Sequence, residues 1–154
     1  MFKRLSSIAL AALAVASPVH ANELKDYIYS NEVLAEVHNS GTTIKFKDPS
    51  CSRPILGSYT RNSDVMVLCL ANHRSIPQLA DTIRHETIHI MQMCLNSTIM
   101  TFQQVANLAE PQDYEFMNGY HNTTHHHELE ANIGARDLSD SQVVKFFKQA
   151  CYEA

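Results

Sequence analysis

Beyond its first 21 residues the chain has no apolar run long enough to cross a bilayer, so no stable membrane insertion is expected. It has no excess of positive charge either. Twelve Lys and Arg stand against 16 Asp and Glu, a formal net charge of −4. A mildly acidic surface of this kind argues against nucleic acid or anionic lipid as a partner. No internal repeat is present, which excludes a solenoid or propeller. No C-x-x-C pair is present, which sets the four cysteines against a cysteine-built metal site.

What is there begins with a leader. Met1-Phe2-Lys3-Arg4 is a positive start, Ile8 to Ala16 is a short apolar run, and Pro18-Val19-His20-Ala21 ends in a small residue. This is the pattern of a secretory signal peptide over residues 1–21, cleaved after Ala21. Loss of Lys3 and Arg4 with it takes the formal charge from −4 to −6. Residues 22–154 then form a single domain, secreted or periplasmic, able to bury a modest core. In an exported chain, Cys51, Cys69, Cys94 and Cys151 suggest two disulfides. Of the three possible pairings, Cys51–Cys69 with Cys94–Cys151 is favoured: the first closes a strand region and the second ties a long helix to the C-terminus.

Periodicity gives the order of elements. Leu24, Ile28, Val33, Leu34 and Val37 make a helical stripe over Asn22 to Asn39. Thr42 to Lys47 alternates and is rich in β-branched residues, as a strand does, and Ile55 to Tyr59 and Val65 to Leu70 are two more strands. From Ser75 the period becomes helical. Ser75 suits an N-cap, Pro77 the first turn, and Asp81 an early position that favours the helix dipole. That helix should end at Asn96-Ser97. Further helices are expected over Thr98 to Leu108, Thr124 to Leu138, and from Ser139 or Asp140 to Tyr152. Grouped strands followed by helices predict an α+β fold: an N-terminal helix, a small antiparallel-rich sheet, the long helix and C-terminal helices.

The long helix contains Arg84-His85-Glu86-Thr87-Ile88-His89. On a helix, positions i and i+4 lie about 40° apart, one turn above the other, so His85 and His89 point the same way and can share one zinc ion. Glu86 lies about 100° round from His85. That keeps it off the metal but within reach of a water the metal activates, as H-E-x-x-H requires. Most of the remaining circumference is apolar (Leu79, Ile83, Ile88, Ile90, Met91, Cys94, Leu95), so His85, Glu86, His89 and Gln92 are polar groups on a largely buried helix. Buried polar groups need partners, and a metal would satisfy several at once.

A third protein ligand is needed. In Glu128-Leu129-Glu130-Ala131-Asn132, 39 residues after His89, the chain resembles the gluzincins, zinc metallopeptidases in which H-E-x-x-H is completed by a glutamate from an E-x-x-A-D-like motif on another helix. The resemblance covers the two motifs and their helices. It implies a minimal zincin-like fold with His85, His89 and Glu128 as zinc ligands and Glu86 as general base. The family's aspartate, which accepts a hydrogen bond from a ligand histidine, is Asn132 here, a neutral acceptor that raises ligand basicity less. Glu130 rivals Glu128 for the third position, and His125, His126 and His127 are further donors. His121 is the expected oxyanion donor, with Tyr120 and Tyr114 as weaker candidates. His73 reads as a loop residue, and Met91, Met93, Met100 and Met117 as core filler.

The expected activity is hydrolysis of a peptide or protein substrate by a zinc-activated water. The substrate would pair with an exposed strand edge, for which Val65 to Leu70 is the candidate. Two other classes remain open: a non-catalytic exported zinc-binding protein, and a binding module on a degenerate peptidase fold.

Overall fold

A computed structural model describes residues 18–115, 117 and 124–153. Residues 1–17 of the signal peptide expected over 1–21 therefore lie outside the described residues, as do Tyr120 and His121. Seven helices and three strands appear among those described, in a mixed α+β arrangement that is mostly helical. The chain runs α1 (Pro18–Ser30), α2 (Glu32–Asn39), β1 (Thr43–Lys45), β2 (Gly57–Thr60), β3 (Val65–Leu68), α3 (Ile76–Leu95), α4 (Phe102–Leu108), α5 (Pro111–Glu115), α6 (His125–Asp137) and α7 (Asp140–Cys151). None of these helices is long and apolar enough to cross a membrane.

The core forms around α3. Leu79, Ile83, Ile88, Ile90 and Met91 are at most 2 % exposed and meet Val33, Leu34 and Val37 of α2, Met66 and Leu68 of β3, and Val143, Phe147 and Ala150 of α7. Met91 and Met117 are buried, as core filler should be, while Met93 is only partly covered. Helix α3 starts where its sequence says it should: Ser75 Oγ accepts from the Gln78 N–H. It ends at Asn96, whose left-handed backbone (φ 50°) lets its N–H reach back to Gln92 and Met93 carbonyls. Asp81 falls in the second turn rather than the first, and pairs with Arg84 at 2.5 Å. Arg84 also donates to the Ala135 carbonyl and to Asp140, each at 2.8 Å, so one guanidinium fixes α3 against the junction of α6 and α7.

Five expectations need correction. The helix expected over 22–39 is two, because Asn31 leaves helical geometry (φ −77°, ψ 118°) and caps α2 through the Leu34 N–H. Its amide then donates to Asp140, which gives a buried polar side chain its partners. Helix α4 begins at Phe102, not Thr98, because Thr101 and Gln104 form a reciprocal capping box. A short helix not expected between 108 and 124, α5, opens at Pro111, where a missing N–H costs nothing. The sheet is mixed rather than antiparallel-rich: its order is β1-β3-β2, with β1 parallel and β2 antiparallel to β3. Val65–Leu68 is thus the central strand, hydrogen-bonded on both sides, and has no free edge to offer. Its sequence is apolar for that reason; Met66, Val67 and Leu68 are all buried.

The sheet edge that faces α3 belongs to β2, and no strand among the described residues pairs with it. Cys69 donates to the Leu56 carbonyl at 2.8 Å. In the observed register, Ser58–Val67 and Thr60–Val65 continue that hydrogen-bonded set. Alternation then turns the N–H and C=O of Gly57 and Tyr59 outward. Gly57 has no room for a side chain: a Cβ there would lie 2.7 Å from Thr82 Cγ2 and 3.1 Å from Glu86 Oε1. The bare glycine is what lets α3 lie so close to the strand.

Both disulfides have the favoured pairing, Cys51–Cys69 and Cys94–Cys151. They suggest an oxidising compartment. His73 lies in the loop before α3, as expected, and is buried there, with Nδ1 donating to the Cys69 carbonyl and Nε2 3.0 Å from Thr82 Oγ1. Burial lowers its pKa. The bridges close segments of 18 and 57 residues, so loss of the first should cost about 3 kcal/mol and of the second about 4 kcal/mol. Urea denaturation of the paired Cys→Ser variants checks this. Equal midpoints with and without the Cys94–Cys151 bridge would show that it contributes nothing to stability.

Candidate metal centre

Helix α3 presents His85 and His89 on one face, their ring centroids 4.7 Å apart. Helix α6 brings Glu128 to the same point. The Glu128 Oε2 atom lies 3.4 Å from His85 Nε2 and 3.5 Å from His89 Nε2, and the two imidazole nitrogens are 3.0 Å apart. The group could hold a metal ion: its three donor atoms all lie within 4.8 Å of one another. It is the one such group among the described residues.

The electrostatics fit a site built for a cation. Burial pushes the Glu128 carboxyl up, but hydrogen bonds from His85 and His89 outweigh it and hold the group at about 2. For His89, burial acts downward and is outweighed by the hydrogen bond to Glu128 and the nearby carboxylates, so its pKa rises. A carboxylate kept ionised beside two imidazoles supplies the negative charge that a divalent ion would neutralise.

Glu130 does not share this point. It is 1 % exposed and turns to the opposite side, where its carboxylate accepts from Gln92 Nε2 at 2.7 Å and from the Met100 N–H. Two residues apart on a helix means nearly opposite faces, and each carboxylate has found its own partners.

Gln92 links the two carboxylates' surroundings. Its amide nitrogen donates to Glu130 and, at 3.0 Å, to the His127 carbonyl. Both of those groups accept only, so the amide orientation is fixed and Oε1 must face His89. His89 Nδ1 lies 2.8 Å from that oxygen and therefore carries the proton. In the neutral, ligating form of the ring the lone pair is then on Nε2, the atom aimed at His85 and Glu128. The sequence singles out Gln92 as a polar residue on a buried helix without showing what it bonds.

Asn132 lies beside His85 and Glu86 in the wall of a cavity, but no hydrogen bond joins it to His85. The imidazole with a side-chain acceptor behind it is His89, through Gln92. His126 Nε2 lies 3.1 Å from the Met100 carbonyl, and Tyr114 is half exposed on α5.

Glu86 sits beside the metal group, only 6 % exposed. Burial raises its pKa, opposed by His85 and His89, and the Tyr59 N–H on the outward edge of β2 donates to it. Two cavities flank the group. One of about 540 Å³ includes Leu56, His85 and Glu86; the other, of about 420 Å³, includes Tyr59, His89 and Glu128. Compared with known proteins, the chain matches no family model, no curated protein and no solved structure.

If Gln92 sets the His89 tautomer, Gln92→Leu should weaken metal binding about 10- to 100-fold while the fold persists. Competition with a chromogenic chelator measures the affinity, and circular dichroism checks the fold. An unchanged affinity would remove Gln92 from the site.

Proposed function

We propose that the chain is a zinc metallopeptidase of gluzincin type on a minimal zincin-like fold. The observation that carries this reading is the placement of Glu86 against both the metal group and the outward edge of β2. The donor set suits zinc: two imidazole nitrogens and one carboxylate oxygen, a catalytic rather than a four-donor structural count. For zinc bonds of about 2.0–2.1 Å, a tetrahedron has edges of about 3.3 Å. The three donor separations of 3.0, 3.4 and 3.5 Å fit that figure.

When bound, the ion would supply Lewis acidity, polarising a carbonyl and making a water nucleophilic near neutral pH. The chain's residues do the rest. Glu86 takes the proton from the attacking water and delivers it to the leaving nitrogen. Its burial and raised pKa suit a group that must both accept and release a proton. Gln92, through His89, holds one imidazole in the ligating tautomer. The outward N–H and C=O of Gly57 and the outward C=O of Tyr59 pair with the backbone of an extended substrate and hold its carbonyl beside Glu86. The expected oxyanion donor, His121, lies outside the described residues and has no assigned part. A secreted or periplasmic site of action agrees with the disulfides.

Glu86→Gln removes the base while keeping its size. Hydrolysis of an unfolded protein such as casein should fall at least 100-fold, the lower range for a general base, with zinc stoichiometry unchanged. Undiminished hydrolysis by that variant, after repurification, would contradict the reading.

A further inference from the structure

We infer that the site takes an extended polypeptide along β2 across both cavities, with a carboxylate of that polypeptide held by Arg61; the inference rests on the peptidase reading above. Strand β2 is a wall common to the two cavities. Leu56 lines the one on the His85 side, and Tyr59 and Arg61 line the one on the His89 side. Gly57, between them, is the point where Glu86 touches the strand. From Leu56 to Arg61 is roughly 16 Å at ~3.3 Å per residue, room for about five residues of extended chain. A ligand that ended at the metal group would need space on one side only. Space on both sides suits a chain that enters at one end and leaves at the other.

The charges of the two halves differ. In the first cavity Arg136 is already neutralised, bonded to Asp113 at 2.5 Å and to Asp137 at 2.8 Å. In the second, Arg61 has no carboxylate partner among the described residues. Its Nη2 donates to Asn96 Oδ1 at 2.6 Å, which pins the guanidinium to the end of α3. The other N–H groups of its fork remain for a ligand, and a carboxylate is what that fork matches. Two sources offer one: an Asp or Glu side chain within the bound segment, or the C-terminal end of a peptide. Space on both sides of the metal group favours the first.

The test uses the zinc-loaded Glu86→Gln protein, which binds without turnover, and fluorescein-labelled ten-residue peptides. One series is amidated and carries a single Glu stepped through the sequence; a second carries Lys instead; a third has neither but ends in a free carboxylate. Anisotropy at low salt should show the best Glu peptide binding about fivefold tighter than its Lys counterpart, the upper range for one exposed ion pair. The preference should shrink as salt rises. Arg61→Glu on the same background should reverse it, and Arg61→Gln should abolish it. No binding, equal binding of Glu and Lys peptides, or a preference indifferent to Arg61 would overturn the inference. So would an Arg61-dependent preference confined to the free-carboxylate series, which would make the site one for chain ends. Cleavage of the same peptides by the unsubstituted chain is scored separately. Arg61-dependent binding without cleavage sinks the peptidase reading alone, and cleavage without charge preference sinks this inference alone.

Discussion

A row of polar side chains runs through the middle of the fold on α3, and the elements packed around it are placed to meet that row. An unmet buried polar group costs about 1–3 kcal/mol, and more if charged. His85 and His89 meet Glu128, Glu86 meets the edge of β2, and Gln92 meets Glu130, His89 and the His127 carbonyl. Apolar residues on the rest of α3 supply the driving force for burying it, so stability and site geometry come from one helix. The close contact of α3 with α6 has a steric condition as well. Ala131 is fully buried, and at Gly134 the Cδ1 of Ile88 fills the space a Cβ would take.

Much of this was legible in the sequence because the signals are local. The start and end of α3 follow from Ser75 and Asn96, and the shared face of His85 and His89 from helical geometry. The disulfide pairing followed from which elements the cysteines flank. Other features were legible but weak. The Thr101–Gln104 capping box stands in the sequence, yet the stretch before it reads equally well as helix. Asn31 is a capping residue inside an apolar stripe that continues across it, and the stripe masks the break.

What could not be read is long-range. Alternation and β-branching show that Val65–Leu68 is a strand, but not that it lies between two others. An apolar strand buried on both faces and one with a sticky edge look alike in composition. Which of Glu128 and Glu130 faces the two imidazoles depends on how α6 is rotated about its axis, and there Glu130 bonds Gln92 and the Met100 N–H from other parts of the chain. The bond from Tyr59 to Glu86 depends on hydrogen-bond parity in β2, a property of register rather than of residue type.

The account stands or falls on one ion held jointly by α3 and α6. Zinc titrated into the folded, metal-free protein, followed by diffraction with anomalous scattering at the zinc edge, tests it most directly. The account predicts one zinc per chain, bonded to His85 Nε2, His89 Nε2 and a Glu128 oxygen. A protein that binds no zinc at micromolar concentration, or an ion seated on the 125–127 histidines away from that triangle, would contradict it.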